Sequence, residues 1–329
     1  MRISLKVVVC IQLALIFILL GILIYPIYPS PESNSIKNQT PNPIGLLSPR
    51  IYAGLIPPQS YLIFNYEPLR QGIRSYIEQN NLNLSVYVVN MRDGASMSIN
   101  ANAGYPPASL SKVPLAILIM KQIEEGNLSL DTKVTISEED KSASYGDLYQ
   151  TTQKEFTIRF LLEKMLKDSD NTAFLTLNRY KGTEDFTPIL KNYLGYYNNG
   201  NAQGHDITPK SMYNIFSSLY LSTILEPKDS EYILSLLTQT SFDIKQIAHL
   251  PPDTTISHKF ASQYQPHSQY FHDCGIMFIQ DMRLFYCVMT SGLDETAAAQ
   301  NVGLIVNNIY NYTLEERTHL DEYKKVEKE

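Results

Sequence analysis

The chain has 329 residues, 44% hydrophobic and 18% charged, enough apolar side chain to bury one large core or two modest ones and too much for a disordered polymer. A formal net charge of -6 offers no overall basic surface to neutralise phosphates, which argues against nucleic acid as a partner. No internal repeat or long low-complexity tract interrupts it.

In chain order, the first feature is "VVVCIQLALIFILLGILIYPIYP", which follows Arg2 and Lys6. It holds about 20 residues without charge, enough as a helix to cross a ~30 Å hydrocarbon core. A cleaved signal peptide is the competing reading. The apolar run is long for one and no small-x-small site follows, so residues 1–28 are read as an uncleaved membrane anchor. The basic flank keeps the amino terminus inside and places everything after Tyr28 on the extracytoplasmic side. Residues 29–50, rich in Pro, Ser and Asn and without apolar periodicity, form a linker. A folded domain then spans 51–313, and 314–329 is a charged tail.

Within that domain "YEPLRQGIRSYIEQ" has helical spacing, and "LSVYVVNM" and "ASMSINA", split by Arg92-Asp93-Gly94, form a hairpin. Next come a helix opening on "YPPASLSKVPLAILIM", a polar crossover over 126–155 and the helix "TIRFLLEKMLKD". Further helices follow at "NTAFLTLNRYK", "TEDFTPILKNYLG", "TPKSMYNIFSSLY" and "DSEYILSLLT". Three strands, near 254–262, 271–279 and 283–291, precede a last helix, "DETAAAQNVGLIVNNIYNYTLE". Strands from both ends flank a block of helices. The economical architecture is α+β, a three-layer α/β/α arrangement with an antiparallel sheet built from both ends of the domain and an all-helical subdomain between.

Cys274 and Cys287 sit on the last two strands, read as a hairpin. A connecting loop with an even number of residues puts both sulfurs on one face. Buried free thiols are the favoured state, since a directly opposed cross-strand disulfide needs special geometry.

Three short motifs carry the chemistry. Ser109-x-x-Lys112 opens the apolar helix, but such a string arises about once by chance in a chain this long, and a capping serine with a solvated lysine would explain it. Ser169-Asp170-Asn171 follows 60 residues later (169 minus 109), in the turn between two helices; Lys259 follows 90 later (259 minus 169), on a strand. In this order and spacing the three motifs resemble the class A β-lactamase and penicillin-binding serine hydrolases, over roughly residues 66–312. The resemblance implies a β-lactamase/transpeptidase-like fold.

A serine hydroxyl needs a base within hydrogen-bond reach, and residues three apart share a helix face. Ser109 is therefore the expected nucleophile and Lys112, desolvated by the apolar helix, its base. The Ser109 backbone N–H supplies one oxyanion donor. By resemblance, Ser169 relays a proton to the leaving nitrogen, Asp170 ties down the turn and Asn171 holds the substrate amide. Lys259 steers substrate and Ser169, and the backbone N–H of Ser262 completes the oxyanion hole. No metal and no cofactor is implied.

Two departures stand out. Lys259 is followed by Phe260-Ala261 where the family has Thr-Gly, replacing a hydroxyl that meets the substrate carboxylate. No arginine between Ala261 and Asp281 compensates, leaving His267 and His272. The Glu-x-x-Leu-Asn loop of the lactamases is replaced by "YYNNGNAQGHDI", with His205 or Asp206 the nearest substitutes for its general base. The resemblance therefore implies a membrane-anchored hydrolase that acylates on β-lactams or D-alanyl-D-alanine peptides and deacylates slowly. Alternatives are a D,D-carboxypeptidase or transpeptidase of wall maturation acting on peptidoglycan stem peptides, and a non-catalytic wall-binding or sensor domain.

Overall fold

A computed structural model describes residues 64–181, 206–265 and 268–326. The anchor, the linker, the helix expected at 183–195, His205 and His267 lie outside the described residues. Among the described residues no helix is long and apolar enough to cross a membrane.

Helix α1 (Glu67–Gln79) opens with Glu67 and Pro68, both suited to a first turn, and buries Leu69, Ile73 and Ile77, four residues apart. It leads into β1 (Asn83–Asn90) and β2 (Ser96–Ile99). The carboxyl-terminal part supplies β5 (Thr255–Gln265), β6 (Ser268–Ile279) and β7 (Met282–Ser291). Together they make one antiparallel sheet in the order β2-β1-β7-β6-β5, so both ends of the domain meet at the β1–β7 pairing.

Side chains alternate across this sheet. One face, with Val89, Phe285, Cys287 and Ala261, packs on the helical block; the other, with Val86, Val88, Tyr286 and Met277, packs on α1 and the last helix. The expected α+β layering is what is observed. The helical block contains α2 (Lys112–Glu124), α3 (Ile158–Lys167), α4 (Asn171–Asn178), α5 (Pro209–Tyr220), α6 (Pro227–Leu237) and the short α7 (Ile244–Ile247). Helix α2 is buried on nearly every side, Val113 through Met120 without a break, which explains its continuous apolar sequence.

Three expectations are corrected. The crossover over 126–155 contains a two-stranded sheet of β3 (Lys133–Thr135) and β4 (Glu155–Thr157), and its buried Asp140 is gripped by Arg179 Nε at 3.1 Å and Nη2 at 2.6 Å. Two three-residue strands are too short to show a period. The last helix, α8 (Glu295–Val326), continues through most of the segment read as a charged tail. Thr313 is buried, and Arg317 Nε donates to Asp281 Oδ1 at 2.7 Å, tying this extension to the β6–β7 turn.

Thirdly, Cys274 and Cys287 form a disulfide, not free thiols. The β6–β7 loop is two residues, Gln280 and Asp281, an even number that sets the sulfurs on one face. The register then places Cys274 directly opposite Cys287, with Cα atoms 3.9 Å apart.

Candidate active site

The turn that carries Ser109 comes first. Residues Ala108–Ser111 form a 3₁₀ turn, and α2 begins only at Lys112. Ser109 is thus not a helix cap, and its hydroxyl meets the Lys112 side chain. Ala108 is held at φ 41°, a left-handed conformation costly for a side chain with a Cβ, immediately before Ser109. Strand β5, at the sheet edge, packs beside this turn.

The second wall is the Ser169-Asp170-Asn171 turn between α3 and α4. Asp170 does cap α4, accepting from Ala173 N at 2.8 Å, while its other oxygen accepts from Leu148 N at 2.9 Å. The capping explanation therefore holds for Asp170, and Ser169 and Asn171 are left facing Lys112. Ser169, with φ 56°, turns its carbonyl and its hydroxyl toward the same amine.

Lys112 Nζ lies 2.9 Å from Ser109 Oγ, 2.5 Å from Ser169 O, 3.1 Å from Ser169 Oγ and 2.7 Å from Asn171 Oδ1. Two of these partners, the carbonyl and the amide oxygen, can only accept. They absorb both N–H bonds of a neutral amine and leave its lone pair facing two hydroxyls, those of Ser109 and Ser169. Burial brings the Lys112 pKa down to about 7, with Asp170 opposing the shift. The amine is thus placed to take a proton from one serine and give it to the other.

Lys259 completes the set from β5. Its Nζ donates to Ser169 Oγ at 2.9 Å and to Phe260 O at 3.2 Å. Complete burial first, and the charge of Lys112 second, hold its pKa well below the ordinary lysine range, against the pull of Asp273. The Phe260 carbonyl points toward the site, so by the two-residue period of a strand the N–H and C=O of Ser262 face the same way. All six residues singled out in the sequence, Ser109, Lys112, Ser169, Asn171, Lys259 and Ser262, lie on the three segments that meet here.

His272 does not replace the missing arginine. It is buried, its Nε2 lies 3.1 Å from Pro106 O, and burial pushes its pKa down to about 4, so at neutral pH it carries no charge. Asp206 sits against Gly104, where an added Cβ would approach its Oδ2 to 3.1 Å, and the hydrogen bonds of Lys112 and Ser169 do not extend to it.

The sequence reading missed the 144–146 loop. Ser144 Oγ accepts from Asn171 Nδ2 at 2.7 Å, and Tyr145 O accepts from Asn171 N at 3.0 Å. Gly146, at φ 90°, leaves room for Asp170: a Cβ there would lie 2.1 Å from Asp170 Oδ2. A glycine between aromatic and acidic residues was the available signal, but nothing local ties it to a motif more than 20 residues away.

Comparison with known proteins agrees with this geometry. Residues 68–313 match the profile of Beta-lactamase2, described as the beta-lactamase enzyme family. The chain is 22% identical over 209 residues to beta-lactamase VEB-1 of Pseudomonas aeruginosa, a match spanning 57% of this chain and 69% of that protein. Its fold is similar to that of a beta-lactamase from Chitinophaga pinensis, with a TM-score of 0.67, 19% identity, and 75% of this chain and 100% of that one covered. It is also similar to PBP-A, with a TM-score of 0.68, 20% identity, and 79% and 99% coverage. A mutant of PBP-A solved as an acyl-enzyme complex with penicillin G gives a TM-score of 0.67 at 19% identity, covering 79% of this chain and 100% of that one. Because the profile spans most of the chain and the fold carries its serine and lysines into one hydrogen-bonded cluster, the protein is a serine hydrolase and belongs to the beta-lactamase enzyme family.

Proposed function

We propose that the protein is an acyl-transfer enzyme that forms a covalent acyl-enzyme at Ser109 with β-lactams or D-alanyl-D-alanine-like peptides and releases it slowly. The single observation that carries the reading is the position of Lys112 Nζ, 2.9 Å from Ser109 Oγ and 3.1 Å from Ser169 Oγ, with its N–H bonds engaged by two obligate acceptors. In acylation Ser109 Oγ bonds to the carbonyl carbon, its proton passes to Lys112, and the carbonyl oxygen draws on the N–H groups of Ser109 and Ser262. Ser169, hydrogen-bonded to both lysines, delivers a proton to the departing nitrogen as the C–N bond breaks. Asn171 holds the amide of the acyl side chain. The capture of a PBP-A mutant as a penicillin G acyl-enzyme supports the formation of a covalent intermediate.

Slow release rests on sequence. The segment 196–207 contains no glutamate, and a positioned base contributes about 10²- to 10⁴-fold to activating a deacylating water. An extracytoplasmic location, with the chain anchored through 1–28, is supported by the uncharged run after Lys6 and by the Cys274–Cys287 disulfide, a bond that persists in oxidising compartments. The test of function is intact mass of the full-length chain after incubation with penicillin G. One penicilloyl adduct, absent from Ser109→Ala, is expected. An adduct undiminished in Ser109→Ala contradicts the assignment.

A further inference from the structure

Ser109 is approached through a segment with few hydrogen-bonding groups of its own. Tyr105 pairs with Ile207 through two backbone hydrogen bonds of 2.8 Å, and its hydroxyl lies 2.8 Å from Ser85 Oγ on β1. Pro106 and Pro107 follow, neither with an N–H, so each can be fixed by hydrogen bonding only through its carbonyl. Pro107 O accepts from Leu110 N at 2.9 Å and Ala108 O from Ser111 Oγ at 2.7 Å, both within the turn. Pro106 O is met from the sheet: His272 Nε2, on β6 opposite Ala261, lies 3.1 Å from it.

A carbonyl oxygen can only accept, so Nε2 carries the hydrogen of the neutral ring and Nδ1 is its bare acceptor. Nδ1 is buried without a hydrogen-bond partner. An unsatisfied buried acceptor is a cost that an apolar side chain would not carry, and it calls for an explanation. The Tyr105 ring stands edge-on to the imidazole at 5.3 Å and Tyr270 stacks on it at 6.0 Å, which sets the plane of the ring and aims Nε2 at the carbonyl. Between Pro106 and α2 lies Ala108 at φ 41°, a conformation that persists only where its surroundings over-determine it. Without the anchor at Pro106, Ala108 is free to relax, and Ser109 Oγ moves relative to Lys112 Nζ, now 2.9 Å away.

We infer that His272 is a positioning residue for Ser109: its Nε2–H, by holding the Pro106 carbonyl, keeps the turn in the geometry in which the serine hydroxyl meets Lys112. The inference rests on the acyl-transfer reading of Ser109 and adds a residue of β6 to the parts on which that chemistry depends.

The test compares the full-length chain with His272→Gln, His272→Asn and His272→Leu. Each is mixed with penicillin G over a range of concentrations and followed by intact mass, which separates the limiting acylation rate from the apparent dissociation constant. Glutamine carries an amide N–H about as far out as Nε2, asparagine falls one methylene short, and leucine has no donor. His272→Gln is expected to acylate within about threefold of the unaltered protein. His272→Asn and His272→Leu are expected to fall by about tenfold or more with unchanged dissociation constants, since a misplacement of ~1 Å can cost about 10²-fold. The thermal midpoint of His272→Leu should hold or rise, because the unsatisfied Nδ1 leaves with the imidazole. Slower acylation in a protein no less stable is an effect that a purely structural residue would not produce. Acylation by His272→Leu at the unaltered rate overturns the inference. So does a weakened dissociation constant with an unchanged rate, which would make His272 a substrate-binding group. Where His272→Leu does not fold, the two amides decide, and equal rates in His272→Gln and His272→Asn overturn the inference. In each of these cases the adduct still forms at Ser109; absence of any adduct from the unaltered protein overturns the acyl-transfer reading itself.

Discussion

The two walls of the cleft differ in kind. On the side of α2 and the Ser169-Asp170-Asn171 turn, polar groups engage one another: Ser109, Lys112, Ser169, Asn171 and Ser144 form one chain of hydrogen bonds. On the β5 side a single amine, Lys259, joins that chain, and the next residue is an aromatic ring backed by another. The difference teaches that the hydrogen-bonded cluster is built mainly by the helical block, with the edge strand adding one amine and an aromatic backing. The first wall fixes donors and acceptors around the Lys112 amine, while the second sets Lys259 against the Phe260 ring with Phe242 behind it.

The comparison is broken most severely at Ser109. Ser109→Ala should abolish covalent adduct formation altogether while leaving noncovalent binding to the β5 wall, seen as an unchanged dissociation constant for a slowly reacting β-lactam. Residual acylation at the original rate would move the nucleophile elsewhere. Lys112→Ala is next: without a base the hydroxyl should acylate about 10²- to 10⁴-fold more slowly, as stopped-flow acylation rates would report. A rate within a few fold of the original would shift the base to the β5 wall, to Lys259.

Titration sharpens the same contrast. Because the Lys112 pKa is lowered to about 7, the neutral, proton-accepting amine predominates above that value and the ammonium below it. Acylation should therefore fall about tenfold per pH unit on acidification below the apparent pKa, and level off above it. A profile flat from about pH 5 to about pH 9 would show that the Lys112 lone pair is not the acceptor.

Two changes probe the supports and should leave the chemistry of the folded enzyme in place. Removing the disulfide with Cys287→Ala should lower stability by about 2–4 kcal/mol, read as a shift in the denaturation midpoint under non-reducing conditions. Gly146→Ala places a methyl against Asp170 and a side chain in the left-handed region; a loss of about 1–3 kcal/mol is expected, with local loosening of the 144–146 loop in hydrogen exchange. No change in either variant would mean that these two supports do not hold the walls.

Much of this was legible in the sequence, for reasons that differ by residue. Helices α1 and α5 announce themselves by period, because each buries one face and opens with a proline in its first turn, while strands β1, β6 and β7, buried on both faces, announce themselves as short, nearly continuous apolar runs between turns. The six site residues were found by the spacing of three motifs, a signal that survives because the elements between them have fixed lengths. What escaped is what depends on register and on contacts across the fold. Whether Cys274 faces Cys287 turns on a two-residue loop. Whether His272 can act as a cation turns on its burial beneath Tyr105 and Pro106. The Ser144-Tyr145-Gly146 loop has no local pattern, since its partners Asp170 and Asn171 stand on another element.

The most direct measurement of the central claim is the time course of the full-length chain with a chromogenic cephalosporin, following chromophore release and intact mass together. The account predicts a burst of one equivalent, a mass shift at Ser109, and a slow steady state as the acyl-enzyme accumulates. Burst-free turnover with no detectable adduct would contradict it, and would mean that a base outside the described cluster empties the acyl-enzyme as fast as Ser109 fills it.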